Sequence, residues 1–160
     1  YFPKEILPLA SIGAAILDFL VGIIVFLVML LLFRLPLFTS LLWLPVILLV
    51  QIFLMIGVSL VAAAVNVFFR DIRFVIPLVL QIWLYASPVI YPSSLVPEKF
   101  RWIYMINPMV GILDGYRKIM LDGTSPFTLA FIISIIISVL CVTLGYLLFK
   151  RSEPQFADII

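Results

Sequence analysis

The sequence predicts an all-α integral membrane protein: a helical bundle of about four transmembrane helices, with short re-entrant or interfacial helices before the last. Two observations predict it. Of 160 residues, 66% are hydrophobic and 11% are charged. A soluble domain is about 45–50% apolar and about 25% charged, so the chain carries more apolar surface than a water-bounded core of its length can hide. The apolar residues also gather in four long runs, 11–33, 41–65, 74–90 and 127–149. Crossing a hydrocarbon layer of about 30 Å takes about 17–25 helical residues. All four runs reach that, the third only just. The length suggests one domain, here one helical bundle over 1–160.

The elements follow in order. Residues 1–10 open with Tyr1-Phe2-Pro3-Lys4-Glu5-Ile6-Leu7-Pro8, a proline-bounded segment that reads as an interfacial turn or short helix. The first run contains one charge, Asp18, and is closed by Arg34 and Pro36. Ser11, Ala15, Asp18 and Gly22 share a helical face. Asp18 reads either as a gate or conduction-path charge or as a hydrogen-bonded structural acid in a tight helix contact. In both cases it must face protein or water, because a carboxylate in lipid is costly. The second run has no charge, and Gly57, Ser59, Ala63 and Ala64 give it a surface for close helix approach. Arg70-Asp71-Ile72-Arg73 then separates it from the third run, as a plain polar loop or as a dock for a partner or anionic lipid.

The third run places Phe74, Pro77, Gln81, Tyr85 and Pro88 on one stripe, with Trp83 and Tyr91 off it. That stripe reads as an aromatic and polar channel lining, since sugar rings stack on aromatic faces and their hydroxyls pair with groups such as Gln and Tyr. It reads equally as helix packing with proline kinks. The fourth run carries Ala130, Ser134, Ser138, Cys141 and Gly145 along one face, a packing stripe. It is closed by Lys150-Arg151 and Pro154. Trp43, Tyr91 and Trp102 sit near span ends, at headgroup level.

Segment 92–126 is too apolar for an ordinary loop. One short helix is expected from Pro97 to about Ile106, with Glu98 in its first turn. A second is expected from Asn107 as N-cap and Pro108 at the first position to Asp122-Gly123. Asp114 is spaced to pair with Arg117 and Lys118. Helices of about 10–14 residues re-enter or lie at the interface; they do not span.

Composition also excludes. A net charge of +2 gives no nucleic-acid footprint. With no histidine and one cysteine, Cys141, the chain has no internal disulfide, no Ser-His-Asp or Cys-His mechanism and no expected metal site. No Gly-rich phosphate-binding loop ending in Gly-Lys-Ser or Gly-Lys-Thr occurs, so no cofactor is expected on this chain. The chain opens on Tyr1 and reads as a fragment of a longer protein. Basic residues divide five against five between the two membrane sides, so charge leaves orientation open; the reading adopted puts both ends in the cytoplasm.

Four motifs together resemble a known family. Tyr1 to Pro8 before a span, Val65-Asn66-Val67-Phe68-Phe69-Arg70-Asp71-Ile72, Ala86-Ser87-Pro88-Val89-Ile90-Tyr91, and Ile106-Asn107-Pro108-Met109 with Tyr116-Arg117 resemble, in that order, type-2 ABC exporter permeases of O-antigen, capsule or teichoic acid. The resemblance covers the whole chain and implies the last four of six spans. It implies that Tyr1, Phe2, Pro3, Lys4 and Glu5, with Arg70, Asp71 and Arg73, couple to a nucleotide-binding ATPase subunit. It implies that Phe74, Gln81, Tyr85 and Tyr91 line the export path, and that Trp102, Tyr104, Asn107, Tyr116 and Arg117 surround its external mouth. ATP and Mg would bind the partner ATPase. A second permease copy would complete a homodimer in the bacterial cytoplasmic (inner) membrane, among membrane lipid, and the substrate would be a lipid-linked glycan such as a lipopolysaccharide precursor. Rival readings are an ABC permease for a drug or small lipid, a membrane-embedded enzyme, and a passive channel. Asp18, Asp114 and Asp122 do not suggest the paired acids an enzyme would want.

Overall fold

The computed structural model describes residues 6–33, 39–69 and 71–152. Among them every regular element is helical. Helix α1 spans Ile6–Leu32, α2 Leu44–Phe68, α3 Ile72–Ala86, α4 Arg101–Met105, α5 Pro108–Arg117 and α6 Leu129–Ser152. A 3-10 turn over Thr39–Trp43 leads into α2, and a π turn over Lys118–Asp122 extends α5. Among the described residues, three helical stretches are long and apolar enough to cross a membrane, Gly13–Leu32, Thr39–Asn66 and Leu129–Ser152. This is a multi-pass membrane protein.

The third expected span is built differently. Helix α3 has 15 residues, which is about 22 Å at 1.5 Å per residue, short of a full crossing. It stops because a residue before proline avoids the helical region. Ser87, which precedes Pro88, is extended at φ −103° and ψ 150°. The chain from 87 to 91 therefore continues without helical hydrogen bonds.

Helices α2 and α6 form the most extensive pairing, and α5 lies against α6. The small-residue stripe makes this possible. Ala130, Ser134, Ser138 and Gly145 are all buried on one face of α6. A Cβ on Gly57 would stand 2.6 Å from the Val142 backbone nitrogen, and one on Gly145 would stand 2.7 Å from the Gly57 carbonyl oxygen. The two backbones are in direct contact at this crossing, and only glycines allow it. Gly111 plays the same part for α5, where a Cβ would collide with the Ala130 carbonyl and the Ser134 hydroxyl.

The core lies where α2, α5 and α6 meet. Ile47, Val50 and Leu54 of α2, Ile112 and Tyr116 of α5, Ile119 of the π turn and Phe131 of α6 form one buried cluster. The short helix α5 is thus wedged into one end of the bundle. The Ser40 hydroxyl donates to the Ile119 carbonyl over 2.9 Å, and Trp43 meets Phe127 edge-on at 4.9 Å. Both contacts close the same end.

Among the described residues, Ser138 Oγ is the one buried side-chain oxygen or nitrogen without a hydrogen-bond partner. An unpaired hydroxyl in an apolar contact costs free energy. Ser138→Ala is therefore expected to leave thermal stability unchanged or to raise it by up to about 1 kcal/mol. A loss larger than that in a melting measurement would mean the hydroxyl has a partner after all.

Candidate functional site

The non-helical segment 87–91 and the α4–α5 hairpin form one constellation. Free carbonyls at a helix end inside a membrane need donors, because lipid supplies none. Two side chains provide them. Asn107 Nδ2 donates to the Ala86 carbonyl at 3.3 Å and to Ser87 Oγ at 3.0 Å. Arg117 Nη2 donates to the carbonyls of Pro88, Val89 (3.4 Å) and Tyr91 (3.2 Å). The cation also sits where the dipole of α3 ends, which favours positive charge. Arg117 Nη1 meets Asp114 at 3.4 Å, the i,i+3 pair expected from the spacing.

Asn107 does double duty. Its Oδ1 accepts the Met109 amide at 3.1 Å as the N-cap of α5, and the Trp83 indole N–H at 2.9 Å. Asn107 before Pro108 signals the cap. Nothing local signals the bond to Trp83, which lies 24 residues back. Gly123 ends this hairpin in the left-handed region at φ 66°, as its place after Asp122 predicts.

A chain of tyrosines flanks the latch. Tyr104 Oη donates to Tyr91 Oη at 3.2 Å, and Tyr91 Oη donates to the Tyr85 carbonyl at 3.2 Å. Burial first, and then the bond to Tyr91, hold the Tyr104 phenol above its usual range, so it stays protonated. Burial raises Tyr116 likewise.

Of the expected lining residues, Phe74, Gln81 and Tyr85 share one side of α3, a helix with no buried residue. Phe74 and Tyr85 are 65% and 59% exposed, and Gln81 is exposed too. Trp83 faces the bundle core instead. Phe74 is capped by its own neighbour, with Arg73 Cζ 4.7 Å from the ring centre. Pro88 leaves the stripe, since the helix has ended and the residue is buried. Tyr91 is half-buried in the tyrosine chain rather than aligned with the exposed face.

Of the external-mouth residues, Trp102 is 71% exposed on α4, while Tyr104, Asn107 and Arg117 belong to the latch. Tyr116 is turned inward: it is 9% exposed, its hydroxyl donates to Gln51 Oε1 at 2.8 Å, and its ring meets Phe19 at 5.5 Å. It is a core residue within this chain. Asp71 and Arg73 are exposed at the tight α2–α3 turn. Tyr1, Phe2, Pro3, Lys4, Glu5 and Arg70 lie outside the described residues. Asp18 is exposed on α1, and no described residue gives it a hydrogen bond or ion pair. A carboxylate so placed in a span needs protein or water beside it.

The family model of the ABC-2 type transporter matches residues 1–121. The chain belongs to the ABC-2 type transporter family. It is also similar along 99% of its length to the O-antigen export system permease protein RfbA of Klebsiella pneumoniae, at 29% identity over 163 residues. A second K. pneumoniae protein of that name is 29% identical over 160 residues. The O-antigen export system permease protein RfbA of Myxococcus xanthus is 26% identical over 162 residues. The chain spans 61% of the length of each K. pneumoniae relative and 62% of the M. xanthus one. In ABC-2 terms, the latch belongs to the matched part of the chain and α6 lies beyond it.

Proposed function

We propose that this chain is part of the membrane permease subunit of an ATP-driven exporter that moves a lipid-linked polysaccharide across the bacterial cytoplasmic membrane. The observation that carries the reading is similarity to O-antigen export permeases over 99% of the chain. In this reading ATP and Mg bind a separate ATPase subunit, which docks on segment 1–10 and the α2–α3 turn with Asp71 and Arg73. A second permease copy faces the first. The exposed side of α3, with Phe74, Gln81 and Tyr85, lines the path between them. The latch at Asn107 and Arg117 sets where that lining ends and the external mouth begins.

The lining needs weak, repeated contacts, because a polymer must slide through it. Aromatic rings and an amide meet that need without trapping charge. The Tyr85 side chain makes no hydrogen bond within the described residues; its carbonyl makes the bond to Tyr91. Tyr85→Ala should therefore spare folding. In the full-length parent protein it is expected to lower polymer export several-fold while the co-purified ATPase is retained. Export at the wild-type rate, with equal protein in the membrane, would remove Tyr85 from the path. Scrambling residues 1–8 tests the coupling half of the reading. It is expected to abolish ATPase co-purification in mild detergent, and retention of the ATPase would count against docking there.

A further inference from the structure

A largely apolar cavity of about 510 Å³ lies beside the latch, between α4, α5 and the start of α6, with Tyr104 on its wall. Arg101 and Lys118 border it, and neither is ion-paired among the described residues. Its one carboxylate, Asp114, is already held by Arg117 at 3.4 Å. Among the lining residues the balance is therefore two cations, neither ion-paired, against one acid that Arg117 already holds.

The lower wall is of another kind. Met105, Val110 and Leu129 are apolar, and Leu129 begins the spanning helix α6. Thr128 sits at the junction. Its Oγ1 accepts the Phe131 amide at 3.2 Å, which leaves its own O–H to donate. The first-turn amides of α6 add a positive field on the same side. Ser93 supplies one more hydroxyl at the rim. A cavity with unpaired cations at its rim and an apolar wall running into a membrane span matches one ligand chemistry: an anionic head carrying a hydrocarbon tail.

We propose that this cavity seats the headgroup of an anionic membrane phospholipid, held by Arg101 and Lys118, with its acyl chain against Met105 and Leu129. This site does not depend on what the transporter carries. A neutral sugar would leave both cations unpaired, and a free anion would leave the apolar wall unused.

The test uses the full-length parent protein in mild detergent and native mass spectrometry. Phosphatidylglycerol and phosphatidylcholine with identical acyl chains are the probes. The wild type is expected to retain phosphatidylglycerol in preference to phosphatidylcholine. R101Q/K118Q is expected to retain it about tenfold more weakly, whereas K99Q, outside the cavity, is expected to match the wild type. The single variants R101Q and K118Q, each several-fold weaker, serve if the double variant does not fold. Equal retention of the two lipids would overturn the proposal. So would wild-type retention by variants that melt normally. Full displacement of phosphatidylglycerol by inorganic phosphate would also overturn it, leaving a soluble-anion site.

Discussion

Gly57→Val is expected to separate α2 from α6 and to cost about 3 kcal/mol or more, since overpacking alone costs about 1–3 kcal/mol even where side chains can yield. Here they cannot yield. The atoms that a Cβ would meet are the Cys141 and Val142 backbone, in the middle of α6. Relief requires a whole helix to move, and this is the most extensive helix pair in the chain. The Gly145 backbone faces the same crossing from the other side, so a shift of α6 also disturbs its contact with the Gly57 carbonyl. A melting curve of the detergent-purified full-length protein reads the effect, with Gly57→Ala expected to fall between wild type and valine. Wild-type melting for Gly57→Val would show that the two helices are further apart than this packing requires.

Arg117→Met should cost about 2–4 kcal/mol and should loosen segment 87–91 specifically. Methionine keeps much of the length but removes every donor. The part-buried bonds to the carbonyls of Pro88 and Tyr91 are then lost, together with an exposed one to Val89. A buried acceptor left unsatisfied costs about 1–3 kcal/mol. The ion pair with Asp114 is the lesser part: Arg117 and Asp114 side chains are 31% and 21% exposed and meet at 3.4 Å, and such pairs contribute about 0–1 kcal/mol. Asp114→Asn is accordingly expected to be mild. Arg117→Lys should resemble Met more than wild type, because an ammonium cannot reproduce a planar fork reaching several carbonyls. Hydrogen exchange reads the outcome locally. Faster exchange confined to residues 86–91 in Arg117→Met, with α2 and α6 unchanged, is expected. Unchanged exchange there, or equal losses in Asp114→Asn and Arg117→Met, would mean that the ion pair and not the carbonyl latch holds this end. If the exposed face of α3 lines the path, the loosened variant also exports poorly with its ATPase still bound.

The two variants probe different kinds of information. Gly57 was legible as part of a small-residue face, because composition along a helix reports how closely a neighbour can approach. Arg117 was legible as a partner for Asp114 and, through the family resemblance, as a residue of the external mouth, but not as a donor to the end of α3. Its carbonyl acceptors lie 26 to 29 residues earlier in the chain, and no period or spacing encodes that. The same limit explains Tyr116. Its motif position placed it at the external mouth, yet its hydroxyl pairs with Gln51, 65 residues away, inside the bundle. It explains Pro88 too, which continues the α3 stripe on a helical wheel but follows a helix that its own ring brings to an end.

The sequence by itself determined the membrane class, the positions of the apolar runs, the Asn107 cap, the Gly123 stop and the packing face of α6. Each of these follows from local rules: apolar length against bilayer thickness, proline and asparagine chemistry at helix starts, and the space a glycine leaves. Only the tertiary structure decided that Asn107 and Arg117 supply the donors missing at the end of α3, and that Trp83 rather than Tyr85 turns towards the core. Those depend on which distant groups meet. In a medium without water every freed backbone group must find such a partner within the protein.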